Sequence, residues 1–379
     1  MISRRVQAVD SSGIRKVFEL AAKMKDPVNL SIGQPDFDIP EPLKEVAIEA
    51  IRTGQNRYTL TQGIAKLREG VRANLAATCG VAVGADEVLI TSGVSGGLLL
   101  AFLALLDPGD EIIIFDPYFV MYKHLVRLVN AVPVIIDTYP SFLPDPEQVA
   151  AAITPRTKAI ILNSPANPTG VVLPEALQRE LVAVAAKHGL VIISDEIYRD
   201  FRYSDTPHFS PGSIYPDTIT MGGFSKSHAM TGWRLGYATA PKAIMDELIK
   251  VQQYTFVCAP APMQLAAAAA LAFPMQEHFD DFGRKHRLIR DGLAPEFRIS
   301  GGEGAFYLFP EVPAGCGTAT EFVSEAITRK EVLVIPGNVF SERDTNFRLS
   351  FATTEATLKR GIAALCALAR ELRAERGAC

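Results

Sequence analysis

Between residues 87 and 239 the chain alternates short apolar runs with longer amphipathic stretches. The runs are E-V-L-I-T, E-I-I-I-F, V-P-V-I-I-D, K-A-I-I-L, L-V-I-I-S-D, T-I-T-M-G-G and R-L-G-Y-A-T. They are rich in Val and Ile and nearly unbroken by polar residues, as expected of strands buried on both faces. Helical periodicity lies between and before them: Leu43, Val46, Ala47 and Ala50 share one face, and further helices are predicted over Ile64–Ala77, Leu98–Leu106, up to Asn130, and Pro174–His188. The alternation predicts an α/β fold with a mostly parallel sheet covered by helices on both faces.

After Pro241 the pattern changes. Two helices and a long one, from about Pro274 to Pro295, lead to strand-like segments beside one another with Gly turns: F-R-I-S-G-G-E-G-A-F-Y-L-F, V-L-V-I-P-G and N-F-R-L-S-F-A. A helix over Thr320–Lys330 and another ending near Arg373 flank them, an α+β arrangement. The N-terminal region reads as a short amphipathic piece from Ile14 to Met24 and an extended arm through N-L-S-I-G-Q-P-D-F. We therefore expect a large domain over residues 42–280. A smaller α+β domain is expected from both chain ends, 1–41 and 281–379, with the change in the long helix.

Charge and cysteine usage narrow the function classes. The 379 residues carry 38 basic and 42 acidic side chains in no long basic run, which argues against a nucleic-acid partner. No apolar run approaches the roughly 20 residues needed to span a bilayer, and no apolar core follows Arg4 and Arg5, so we expect a cytoplasmic, unsecreted protein. Five cysteines without C-x-x-C spacing support neither a metal site nor a disulfide framework.

Ligands of parallel sheets gather at the carboxyl ends of the strands. Residues 91–97, 116–119, 163–170, 195–198 and 222–226 each follow a strand-like run, so five polar clusters converge. S-G-V-S-G-G before a helix suits a phosphate, because free N–H groups and the helix dipole favour an anion there. Ser225 and Arg234 complete that seat. Asp195 ends the most apolar strand and needs a cationic partner once desolvated; a protonated pyridine nitrogen would serve. Asn167 and Tyr198 can bind a ring oxygen, and either Phe119 or Tyr118 can stack on a ring. Lys226, among Gly222, Gly223, Ser225 and Ser227, is a covalent attachment point in small-residue packaging. Phosphate, pyridinium, phenolate and amine together describe pyridoxal 5'-phosphate.

The chain resembles the class I/II aminotransferases, fold-type I pyridoxal-phosphate enzymes, over almost its whole length. The resemblance is carried by G-Q-P-D-F, the loop with Tyr58, T-S-G-V-S-G-G, N-S-P-A-N-P-T-G, S-D-E-I-Y, S-K with G-W-R-L-G-Y, and F-R-L-S-F-A. It implies a seven-stranded sheet and transfer of an amino group between an L-amino acid and a 2-oxo acid by a ping-pong mechanism. It implies that Lys226 forms the Schiff base and acts as base, that Asp195 pairs with the ring nitrogen, and that Asn167 and Tyr198 hold the ring oxygen. Val94 and Ser95, through their backbone, join Ser225 and Arg234 on the phosphate, and Phe119 is the stacking aromatic. Arg348 is the substrate-carboxylate clamp, assisted by Asn167 and Gly33. Tyr58 reaches the phosphate of a neighbouring subunit, which implies a homodimer with shared sites.

Two other chemistries compete. A carbon–sulfur β-lyase would use the same cofactor residues. A serine hydrolase would use Ser95 in Gly93-x-Ser95-x-Gly97, with Asp195 and then His208 or His228 as the remaining triad. The six histidines match no role in the transaminase reading and are expected at the surface or in packing. Apolar and aromatic residues near Ile14, Phe18 and Tyr118 fit a neutral amino acid.

Overall fold

A computed structural model describes residues 2–10, 13, 24–204 and 207–377. The predicted alternation becomes a seven-stranded sheet. Its strands are β2 (Val88–Thr91), β3 (Glu111–Asp116), β4 (Val132–Asp137), β5 (Thr157–Asn163), β6 (Val191–Asp195), β7 (Thr218–Gly223) and β8 (Gly236–Thr239), in the order β2-β8-β7-β6-β5-β3-β4. Pairing is parallel from β7 through β4, while β8 runs antiparallel to both β2 and β7. Every strand except β8 therefore points the same way, and the polar clusters that follow β2, β3, β5, β6 and β7 emerge at one edge. Ile192 and Ile193 of β6 and Ile112 to Ile114 of β3 are buried, as unbroken apolar strands require.

The helix after β2 starts earlier than its sequence suggests. It spans Gly93–Leu105, so the glycine-rich segment forms its first turns rather than a loop before it. Glycine disfavours helix by about 1 kcal/mol per residue relative to alanine, which is why a loop is the expectation from propensity alone. Packing overrides that here. A Cβ on Gly96 would stand 3.0 Å from Ser92 Cβ, and one on Gly97 would contact Met221 and Thr91. The other predicted helices appear within a few residues of expectation, including Glu41–Arg52, Ala65–Cys79, Glu175–His188 and the long Gln276–Leu293. The five consecutive alanines at 266–270 lie in the helix Ala261–Ala270, with Ala266, Ala267 and Ala270 buried.

The C-terminal strands pair locally: β9 (Tyr307–Leu308), β11 (Ile335–Pro336) and β12 (Phe347–Ser350) form an antiparallel sheet in the order β11-β12-β9. The arm joins this region through β1 (Val28–Asn29), which pairs in parallel with β10 (Val332–Leu333). A core rich in Phe282, Phe306, Phe322, Phe347 and Phe351 fills the space beneath, and Tyr198 and Phe201 enter it from the end of β6. The last helix, Glu355–Glu375, is capped by the Thr354 side chain, which accepts from the Thr357 amide.

Candidate active site

A cavity of about 310 Å³ opens at the carboxyl edge of the main sheet. Each strand delivers its residue at a turn: Asp195 ends β6, Asn167 follows β5, Lys226 follows β7, and Val94 and Ser95 occupy the first turn after β2. Phe119, Tyr198, Ser225, Arg234, Gly33 and Arg348 line the same cavity. Tyr58 does not; it is 84% exposed on the surface. Tyr118 turns away, its hydroxyl donating to Glu342 Oε1 at 2.7 Å, so Phe119 is the aromatic on the cavity wall. Ile14 and Phe18 lie outside the described residues.

Asp195 is 3% exposed. Its Oδ2 accepts from the Tyr122 hydroxyl at 2.7 Å and its Oδ1 from the Ile197 amide at 3.2 Å. Burial, reinforced by the charge of Glu196, pushes its carboxyl up to about 6, against the opposing pull of Tyr122, Ile197 and Lys226. Across the cavity, the Lys226 amine donates to the Gly33 carbonyl at 2.7 Å. Burial, with the positive charges of Arg348 and Arg234, lowers it to about 8. The site thus holds a carboxyl and an amine whose ordinary values have moved toward each other, the arrangement expected where protons are exchanged near neutrality.

The two arginines mark opposite ends. Arg234 has φ of 55° and stands beside Gly93, whose φ is 66°. A Cβ on Gly93 would lie 2.7 Å from Arg234 Nη2, and one on Gly236 would lie 2.8 Å from the Val94 nitrogen. Gly93 therefore lets the exposed Arg234 guanidinium approach the helix start, where an anion is favoured, and Gly236 lets that helix start lie close against β8. Arg348 is buried between the rings of Tyr307 and Phe340, its guanidinium 4.6 Å from each centroid. It donates to the Asn167 side chain at 3.2 Å and to the Ser31 carbonyl at 2.9 Å, while its Nε has no partner among the described residues. A buried guanidinium with a free donor is prepared for a carboxylate.

Several lining residues escaped the sequence reading, above all Tyr122, Tyr307 and Asn163. Asn163 accepts from the Asn167 amide at 2.9 Å and donates to the Asp195 carbonyl at 2.9 Å, tying two strand ends together. The hydrolase triad is not assembled. His208 bonds Glu196, His228 bonds the Ala270 carbonyl, and neither lines the cavity that holds Ser95. Among the described residues, no helix is long and apolar enough to cross a membrane.

The mostly parallel seven-stranded sheet flanked by helices is that of an α/β enzyme of the fold-type I aminotransferase architecture. The aspartate aminotransferase from Rhizobium meliloti superposes with a TM-score of 0.93 at 33% identity, covering 98% of this chain and 99% of that one. The description "Aminotransferase class I and II" matches residues 25–365, and the chain belongs to that family. It is similar to the probable aspartate/prephenate aminotransferase of Thermus aquaticus, 38% identical over 95% of this chain and 97% of that protein. The probable aspartate aminotransferase of Methanocaldococcus jannaschii is 37% identical over 96% of this chain and 98% of its own length. The protein is accordingly an aminotransferase acting on amino and 2-oxo acids.

Proposed function

We propose that the cavity binds pyridoxal 5'-phosphate through Lys226 and transfers amino groups from an L-amino acid to a 2-oxo acid in two successive half-reactions. The observation that carries this reading is the single cavity holding a lowered amine, a raised buried carboxyl and a cation at each end. The donor set fits the cofactor group by group. Lys226 supplies the attachment nitrogen, Asp195 the anion for a ring nitrogen, and Tyr198 and Asn167 donors for a ring oxygen. Phe119 gives a face for stacking. Val94 and Ser95 amides, the Ser225 hydroxyl and Arg234 surround the anion seat.

When bound, pyridoxal phosphate supplies a protonated ring able to take up the electron pair left at the substrate Cα. The protein residues do the rest. Arg348, supported by Asn167 and Gly33, holds the substrate carboxylate in a bidentate grip. Lys226 would hold the cofactor through its amine and, with that amine free, would be the base that carries the substrate Cα proton. Asp195 stays ionised while the ring nitrogen is charged. The apolar wall of Ile32, Leu98 and Ile197 limits water near the exchanged proton.

Borohydride reduction followed by peptide mapping tests this directly. We expect one reduced adduct on Lys226 and loss of the visible absorbance; a protein without a reducible adduct overturns the reading. Incubation with amino acid and oxo acid separates it from β-elimination: a transaminase forms a new amino acid without free ammonia, whereas a β-lyase releases ammonia.

A homodimer fits the exposed apolar side chains. Tyr58, Leu60, Tyr254, Phe256 and Val257 are exposed large apolar side chains, and the Phe256 ring lies 3.6 Å from where a Gly96 Cβ would stand. Such side chains suit burial against a second copy, with Tyr58 reaching the other copy's phosphate seat. Residues 42–280 would then form the larger, cofactor-binding unit, with 1–41 and 281–379 the smaller one. The free thiols of Cys79, Cys258, Cys316 and Cys366 suit a cytoplasmic location.

A further inference from the structure

Tyr307 of β9 lines the cavity beside Tyr198, and its position is tied to other site residues. It is 1% exposed, and its hydroxyl is 2.9 Å from the Tyr198 hydroxyl, with either oxygen able to donate. Its ring carries the Arg348 guanidinium at 4.6 Å. A Cβ on Gly33 would come within 2.9 Å of the Tyr307 hydroxyl, so the absence of a side chain at Gly33 leaves that hydroxyl its place. The Gly33 carbonyl in turn accepts from Lys226.

Two phenols in contact share one hydrogen bond, and its direction matters. Each hydroxyl has a single proton. With the Tyr198 proton on Tyr307, Tyr198 presents only lone pairs to the cavity and repels an anionic ring oxygen. With the Tyr307 proton on Tyr198, the Tyr198 proton is free to turn outward, and its oxygen, already accepting, becomes a stronger donor through polarisation along the chain. On the reading that the cavity holds pyridoxal phosphate, we propose that Tyr307 is a positioning residue: its hydroxyl donates to Tyr198 and directs the Tyr198 proton at the cofactor's ring oxygen. In this role the Tyr307 hydroxyl acts through Tyr198.

The test is the pH titration of the bound cofactor's visible absorbance, a readout separate from turnover. The titrating proton is shared between the attachment nitrogen and the ring oxygen, so a weaker donor at that oxygen raises the midpoint. The charged groups facing the tyrosine pair, Arg348, Lys226 and Asp195, are left in place in every variant. Tyr307→Phe keeps the ring beneath Arg348 and removes only the hydroxyl. We expect the Lys226 adduct to form, the midpoint to rise by a few tenths of a pH unit, and Tyr198→Phe to raise it further. In the Tyr198→Phe background, Tyr307→Phe is expected to add no shift, because the relay has lost its only outlet. An unmoved or lowered midpoint in the single variant, or an additive shift in the double variant, overturns the inference. If Tyr307→Phe does not fold, Gly33→Ala displaces the same hydroxyl by steric contact and is expected to raise the midpoint likewise, with no rise counting against the inference. A wild-type protein lacking the Lys226 adduct overturns the cofactor reading itself, so the two failures are told apart by borohydride mapping.

Discussion

Asp195 and Glu196 are consecutive, both are buried, and they have opposite fates. Asp195 faces the cavity with one donor on each oxygen, and burial drives its carboxyl upward. Glu196 faces the other side of the strand end, where His208 lies at 2.8 Å and the hydroxyls of Ser194 and Ser210 donate to Oε1 at 2.8 and 2.5 Å. Burial alone would raise Glu196 too, but the His208 charge and these hydrogen bonds hold it below its ordinary value. A strand alternates its side chains, so adjacent carboxylates enter different surroundings. A buried carboxylate with a full set of partners is part of the scaffold, whereas one with room left for a cation marks a binding site.

The sharpest way to break this contrast is to neutralise each carboxylate in turn. Asp195→Asn is expected to lower kcat/KM by about 10²–10³, the usual cost of removing one preorganised electrostatic group, with no loss in thermal stability. Glu196→Gln is expected to show the reverse: destabilisation of about 3–5 kcal/mol in urea melts, because one partner of a buried pair is lost, with kcat/KM per folded molecule within a few-fold of wild type. If the two variants behave alike, the distinction fails.

Smaller perturbations sharpen it. Tyr122→Phe removes the hydroxyl that holds Asp195 Oδ2 and is expected to weaken cofactor binding by about 1.5–3 kcal/mol, the worth of a hydrogen bond to a charged group, measured by equilibrium dialysis at pH 7. The smallest effect is expected from pH alone. Asp195 has a folded value raised to about 6, above its ordinary 3.8, so its ionised form opposes folding of the cofactor-free chain at neutral pH. That opposition is relieved as pH falls through about 6, and cofactor affinity should fall over the same interval as the carboxyl takes up a proton. Glu196 has the opposite sign. Its lowered value stabilises the fold at pH above its ordinary 4.5 and is lost only as pH falls below that, so acid melts should steepen there.

Much of the site was legible because its residues follow strands whose apolar runs are unmistakable. Lys226, Asn167 and Arg234 sit at turns, Asp195 ends β6 and Arg348 lies within β12, each a polar residue that interrupts an apolar pattern. Tyr122 and Tyr307 were not legible. Each sits in an apolar stretch where an aromatic reads as packing, and each hydroxyl finds its partner far along the chain, 73 residues away for Tyr122 and 109 for Tyr307. The early start of the helix at Gly93 was hidden for a different reason: local propensity predicts a loop, and close approach by Arg234 and Ser92 decides otherwise. His208 offered no motif, since only the fold places it against Glu196.

The parallel pairing of Val28 with Val332 has a consequence for synthesis. The arm strand leaves the ribosome roughly 300 residues before its partner, a delay of tens of seconds at ordinary elongation rates. Once Thr239, the end of the last main-sheet strand, has been made, the main sheet can close around Asp195 while the Ser31 carbonyl that anchors Arg348 still has no arginine to meet. The half of the cavity with Lys226 and Asp195 is thus made before the half with Arg348, which is complete only after the chain's two ends have found each other.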